Sequence, residues 1–331
     1  MPFRYSLYGL TLQSNLPIPG LLPAQSEASV DVDVTFRRPH REIGFEQAPW
    51  YISHALDENL APILTVWRSK DASEYRFLYC DKTEFQIDRA GTRVSATWPD
   101  GLSLENTISY LVGQISAFVL RLRGSVCLHA SAILVDNRAI AIVGDTGAGK
   151  STTAASFVKQ GYSVVSEDVT PLLERDSSFF VQPGYPRVNL WPEAVKSLNG
   201  TPDALPEIAP PWEKRYLDLQ KDGACFYMHA ARLGAVYILA SRSSKQPAPL
   251  IESLSTRDAL ISLLTFAHGR YLLEKAMRVR EFDFMSRLAE VIPVRRVVPH
   301  TDLAHLDELC ERILRDFRHS AAFVGGTAGA T

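Results

Sequence analysis

The chain has 331 residues, 46% of them hydrophobic and 22% charged, with a formal net charge of −2. This is the composition of a globular protein long enough for two domains. The near-neutral charge speaks against a nucleic-acid binder and against a basic membrane-surface protein.

The opening Met1-Pro2-Phe3-Arg4-Tyr5 has no charged segment followed by an apolar core, so no signal peptide is expected. Residues 1–103 read as a β-rich N-terminal domain. Val30 to Phe36 alternates strictly, and Tyr75 to Tyr79, Glu84 to Ile87 and Arg93 to Trp98 are further strand candidates, with turns at Asp81-Lys82 and Ala90-Gly91. Polar alternate positions predict a sheet with one wet face. No titratable cluster in this stretch has a catalytic pattern.

Residues 104–124 read as a connecting amphipathic helix. Leu104, Ile108, Leu111, Ile115, Phe118 and Leu122 recur at spacings of three and four, and Gly124 supplies the stop. Its apolar run, Ile108 to Leu122, is interrupted by Ser109, Gly113, Gln114, Ser116 and Arg121, too short and polar to span a bilayer. The four cysteines (Cys80, Cys127, Cys225, Cys310) form no C-x-x-C pair and no zinc-type spacing with histidine. Reduced thiols in a cytoplasmic protein are expected.

Residues 125–318 read as an α/β domain built on a P-loop. His129 to Val135 and Ala139 to Val143 are two apolar runs separated by Asp136-Asn137, which predicts a β-hairpin. In that register Val135 faces Arg138, and counting back sets His129 opposite Gly144. The second run delivers Gly144-Asp145-Thr146-Gly147-Ala148-Gly149-Lys150-Ser151, which fits G-x-x-x-x-G-K-[ST], and Thr152 to Gln160 reads as a short helix stopped at Gly161. Strand, glycine loop and helix are what phosphate binding needs: loop N–H groups and the helix dipole face the anion. Gly144 to Thr152 are therefore the expected ATP-binding residues, with Lys150 on the β- and γ-phosphates and the Ser151 hydroxyl on Mg²⁺.

Tyr162 to Ser166 reads as a strand carrying Glu167-Asp168 at its end, where acidic residues hold Mg²⁺. Asp168 lies 18 residues after Lys150, room for one helix and one strand, so this strand is expected beside the P-loop strand. Pro183 to Trp191 and Thr201 to Trp212 are proline-rich and irregular, lengths that suit lids or binding segments. Arg187, and Lys214-Arg215 just after the second loop, are cations that could meet an anionic substrate. Ala235 to Ala240 reads as a buried strand and Ala259 to His268 as a helix begun at Ser255. Tyr271 to Val291 reads as a helix, Pro293 to Val298 as a strand and Leu303 to Phe317 as a final helix. Residues 319–331, small and Gly/Ala-rich, are expected to be a disordered tail.

The stretch His129 to Leu172 resembles the core of the bacterial HPr kinase/phosphorylase family, in which a histidine before the P-loop, the loop itself and a close acidic pair recur in this order. The resemblance implies a P-loop kinase fold of the PEP-carboxykinase type that phosphorylates a serine hydroxyl. It implies Glu167 as the group accepting the substrate proton, His129 as its charge partner, Asp168 and Ser151 on Mg²⁺, and Lys150 on the phosphates. The family carries Asp-Asp where this chain has Glu167-Asp168, and its C-terminal P-G-R-N-like segment is missing. That absence speaks against a reverse phosphorylase reaction. Tyr5 to Leu12, Leu16 to Leu21 and the PGYPRVNLW segment look like the branch associated with lasso-peptide biosynthesis, whose members phosphorylate a serine near the precursor's C-terminus. The expectation is an ATP- and Mg²⁺-dependent serine kinase acting on a peptide, with a small-molecule hydroxyl kinase or a nucleotide-gated regulator as alternatives. The oligomeric state is left open, a homo-oligomer included.

Overall fold

The computed structural model describes residues 2–25, 27–37, 44–210, 213–221, 225–245 and 249–325, the side chains of 321–325 excepted. The chain forms two compact units. The first comprises Met1–Ser125, Ile208–Pro211 and Gly269–Arg278, and the second Val126–Glu207, Trp212–His268 and Val279–Thr331.

Among the described residues the first unit is built on nine strands: β1 (Phe3–Leu7), β2 (Leu10–Ser14), β3 (Leu22–Pro23), β4 (Val32–Phe36), β5 (Tyr51–Ile52), β6 (Leu64–Arg68), β7 (Glu74–Tyr79), β8 (Glu84–Asp88) and β9 (Arg93–Thr97). They form one sheet in the order β3-β1-β2-β4-β9-β8-β7-β6-β5, with β2–β4 and β4–β9 parallel. The expected long helix is broken. It runs as α1 (Leu104–Tyr110), a π-helical turn (Leu111–Ile115) and α2 (Ser116–Leu122), with Gly113 outside helical space at φ −92°, ψ −107°. Ser103 and Asn106 form a capping box at its start. The π turn leaves the Val112 carbonyl to accept from the Tyr8 hydroxyl at 2.8 Å. Phe118 of α2 meets the rings of Tyr75, Phe77 and Trp50. This helix therefore clusters with the first unit and is not a separate connector.

The second unit holds β10 (Val126–Val135), β11 (Arg138–Gly144), α3 (Lys150–Lys159), β12 (Ser163–Ser166), β13 (Val169–Arg175), β14 (Ser178–Val181), β15 (Arg187–Leu190) and α4 (Pro192–Asn199). It continues with β16 (Arg215–Asp218), β17 (Ala231–Leu239), β18 (Leu250–Ser253) and α5 (Thr256–Thr265). Last come α6 (Lys275–Val291, from Val279 onward in this unit), β19 (Val294–Val298) and α7 (Leu306–Gly325). Pairings of β10 with β11, β11 with β17, β17 with β14, β14 with β13 and β13 with β10 close a ring, and β19 and β18 extend the sheet from β17.

Alternation along the strands divides the core. Ala139, Ala141 and Val143 face one apolar cluster together with α5 and α6 residues such as Leu263, Met285 and Leu288. Ile140 and Ile142 face the other, with Phe157 of α3, Val195 of α4 and Ile313 and Phe317 of α7. Period-two patterning sorts side chains to opposite faces and gives a mixed α/β layer with helices on both sides. Among the described residues no helix is long and apolar enough to cross a membrane.

Three expectations change here. The strand that leads to the acidic pair, β12, pairs with β10 and not with β11, whose neighbours are β10 and β17. β10 is ten residues long, so its far half takes β11 on one edge and β12 on the other, and an 18-residue interval fixes a connection but not a sheet order. Pro183 to Trp191 is not all loop, because Arg187–Leu190 pairs antiparallel with Arg215–Asp218. Of the second proline-rich loop, residues 211 and 212 lie outside the described residues. The tail is helical as far as Gly325, where the composition predicted disorder from 319; residues 326–331 lie outside the described residues.

Candidate functional site

The site begins with a hairpin. Asp136 (φ 48°) and Asn137 (φ 60°) form the turn, the double positive φ of a type I′ loop, and Val135 pairs with Arg138. The ladder runs back to Ala130 opposite Val143, which leaves His129 level with Gly144 at the entrance of the glycine loop.

The loop passes from Gly144 into α3, whose N-cap is Gly149 in the left-handed region at φ 105°. A Cβ on Gly149 would stand 2.6 Å from a terminal nitrogen of Arg242, and one on Gly144 would stand 2.8 Å from the Leu239 carbonyl oxygen. Glycine is needed at both points because the loop lies tight against β17 and the segment after it. Lys150 is buried, and its Nζ donates to the carbonyls of Gly144 (2.9 Å) and Asp145 (3.2 Å). Burial pushes its pKa down, against the opposing pull of Asp168, Glu167 and Asp145.

Between β12 and β13 the chain turns through Glu167 and Asp168. The Val169 N–H donates to the Glu167 carbonyl at 2.8 Å, and Asp168 takes φ 65°, a tight three-residue turn of the γ type. Asp tolerates the left-handed region better than most residues, and strain of this kind gathers at functional sites. The turn sends two adjacent carboxylates to different partners. Glu167 is buried and accepts from the Ser151 hydroxyl at 2.5 Å. Asp168 is paired with His129: Nδ1 lies 3.0 Å from Oδ1 and 3.2 Å from the Asp168 carbonyl oxygen. With two acceptors on it, Nδ1 carries the proton, which leaves Nε2 as the second face of the ring.

The electrostatics separate the two acids further. Burial, then the neighbouring Asp168 charge, raises Glu167 above the usual carboxylate range. Burial also pushes Asp168 upward, but the hydrogen bond and charge of His129, with His268 and Lys214 behind them, outweigh it and hold that carboxyl low. The expected charge interaction of His129 with Glu167 is present, but the hydrogen-bonded partner of His129 is Asp168. Likewise Ser151 is grouped with Glu167, not with Asp168. Nothing in residues 150–168 separates the two acids, since neighbouring residues at a strand end point apart only once the turn is known.

One cleft collects these groups: His129, Thr146, Gly147, Gly149, Lys150, Ser151, Thr152, Glu167 and Asp168, with Asn189, Leu190, Trp191, Lys214 and Arg242. Arg187 does not line it. Its guanidinium lies 3.9 Å from the Tyr216 ring centroid and 5.1 Å from that of Tyr185, a stacked position in the two-stranded β15–β16 sheet. Lys214 does line it, with Nζ 5.0 Å from the ring centroid of Trp191, which is 52% exposed. Arg215 is taken up by Asp203 and Glu207 at 2.6 and 3.1 Å.

Two further residues escaped sequence reasoning. Arg242 follows β17, the parallel neighbour of β11, so it emerges at the same carboxyl end as the glycine loop. A cation just past a buried parallel strand was the available signal. His268 follows α5; the His129 N–H donates to Phe266 O and the His268 N–H to Cys127 O, each at 2.8 Å. These bonds set the two imidazoles edge to face, centroids 5.5 Å apart.

No family model and no curated protein matches the sequence. Among solved structures the chain is similar to the Hpr(Ser) kinase/phosphatase from Coxiella burnetii, at 15% identity and a TM-score of 0.31, over 57% of this chain and 95% of that one. A likeness at this score carries no functional assignment.

Proposed function

We propose that this protein is a phosphotransferase that takes ATP with Mg²⁺ and moves the γ-phosphoryl group to a serine hydroxyl of a peptide. The observation that carries the reading is the division of labour between adjacent carboxylates in one cleft with the glycine loop. Glu167 is joined to Ser151 at 2.5 Å, and Asp168 to His129 at 3.0 Å. A serine hydroxyl and a carboxylate are hard oxygen donors of the kind Mg²⁺ prefers, so this pair fits the ion. When bound, Mg²⁺ neutralises charge developing on the β- and γ-phosphoryl oxygens.

The remaining chemistry belongs to the chain. Lys150 and the loop N–H groups hold the phosphates. Arg242, pressed against Gly149, supplies a second cation over the loop. Glu167 sits in the metal-ligand position, and burial with the neighbouring Asp168 charge raises its pKa against the opposing pull of the Ser151 hydrogen bond, Lys214 and His129. Asp168 stays ionised and accepts the proton of the attacking hydroxyl, while His129 fixes its orientation. This exchanges the roles that the family resemblance implied for Glu167 and Asp168. Trp191 and Lys214 at the cleft rim offer an apolar and cationic surface to the acceptor. A lasso-peptide precursor ending near serine is the acceptor favoured by the Tyr5 to Leu21 and Pro183 to Trp191 resemblance.

The test is transfer of label from γ-labelled ATP to a serine-terminated peptide, with the same peptide carrying alanine as control. Label in the serine peptide alone is the expected result. Nucleotide binding without transfer to any hydroxyl would instead leave a nucleotide-gated regulator.

A further inference from the structure

His129, Asp168 and His268 each offer one ligand atom, and those atoms lie within 4.8 Å of one another. We infer that these three side chains form a binding site for an imidazole-seeking divalent ion such as Zn²⁺, distinct from the Ser151–Glu167 pair. Two nitrogens and one carboxylate oxygen match the three-ligand zinc sites that keep a fourth position open. Ligands of a tetrahedral zinc stand about 3.4 Å apart given bonds of about 2.1 Å. The cluster closes by side-chain rotations in which the ion replaces the His129–Asp168 hydrogen bond, and any proton on the ligating imidazole nitrogen is released to solvent. Both histidines are anchored through backbone hydrogen bonds between β10 and the 266–268 segment, which holds the imidazoles on rigid elements. His129 and Asp168 have side chains 35% and 45% exposed and line the cleft, so an ion has a route in.

The donor sets divide the two ions. Mg²⁺ demands oxygen ligands and dehydrates reluctantly, whereas imidazole binds zinc well. Occupancy by zinc takes the Asp168 carboxylate away from an incoming hydroxyl. Zinc thus inhibits the transfer reaction while leaving the ATP subsite open; this inhibitory consequence, unlike binding itself, rests on the proposed function.

Titration of the full-length protein with Zn²⁺ by calorimetry, in buffer holding millimolar Mg²⁺, is the direct test, supported by the visible spectrum of Co²⁺ in the same site. The expected result is one site in the wild type, weakened at least tenfold in His268→Ala and in His268→Gln. Zinc inhibition, measured relative to each variant's own rate in Mg²⁺ alone, should be relieved in both. Two variants of different size guard against a folding defect, which a melting curve would reveal. Absence of a zinc site in the wild type, equal affinity in folded His268 variants, or zinc inhibition that persists in them would overturn the inference. A protein that binds zinc through His268 but transfers no phosphate would contradict the proposed function and leave the site standing.

Discussion

Gly149 and Arg242 face each other across a gap that admits no side chain. Gly149→Ala should place a methyl carbon where the guanidinium stands and force alanine to hold φ 105°. A left-handed non-glycine residue costs about 1–2 kcal/mol, so the variant should unfold at slightly lower denaturant and bind ATP at least tenfold more weakly by calorimetry. Unchanged affinity would remove the loop from the nucleotide site. Arg242→Ala should leave the fold intact and lower phosphoryl transfer by about 10³, the lower range for an arginine acting on a transferring phosphoryl group. Arg242→Lys should rescue little of it, because an ammonium lacks the planar fork; near-complete rescue in a rate assay would argue for a simple charge. The glycine loop was legible in the sequence because its spacing encodes a local conformation. Arg242 and His268 were not, since each reaches the site through pairing with a distant strand.

The hairpin of β10 and β11 could be read in register from two turn residues: Asp136-Asn137 as the turn sets Val135 opposite Arg138, and a three-residue turn would shift this by one position only. Asn137→Val should therefore destabilise the protein by about 1–2 kcal/mol, because a β-branched residue resists φ 60°, and urea unfolding would register the loss. The neighbour of β12 was not legible: nothing in residues 150–168 says that β10 has two free edges to offer. Nor was the break at Gly113, which looks like an ordinary helix position in the apolar pattern. In the first unit, Glu274 receives Arg89 at 2.7 and 2.9 Å and the Tyr75 hydroxyl at 2.7 Å. The Arg89 hydrogen bond, opposed by burial and aided by Tyr75, holds the Glu274 pKa below its usual value. A depressed carboxyl pKa gives stability that is complete above the unfolded value of about 4.3 and lost as pH falls through the folded one. Glu274→Gln should thus be less stable than wild type by up to about 1 kcal/mol at neutral pH, since Arg89 is half exposed. The gap should close on acidification towards pH 3; a constant gap in melting temperature would exclude the linkage.

At the level of the whole molecule, the chain order and the compact units do not coincide. The first unit takes in Gly269–Arg278, where Tyr271 stacks on Tyr51 and bonds Gln114 and where Glu274 is held by Arg89 and Tyr75. A protein truncated to residues 126–331 loses every one of those partners and should express poorly or aggregate, although all the cleft residues remain in it. Recovery of a monomeric, ATP-binding fragment would contradict this. The division of the acidic pair is the central claim, and single-turnover phosphoryl transfer measured across a Mg²⁺ titration tests it most directly. Glu167→Gln should need at least tenfold more Mg²⁺ for half-maximal rate, because it weakens a metal ligand. Asp168→Asn should keep the wild-type Mg²⁺ midpoint and lose about 10²–10⁴ in rate at saturation, the usual contribution of a positioned base. The reverse pattern, with the rate loss at Glu167 and the shifted midpoint at Asp168, would contradict the assignment.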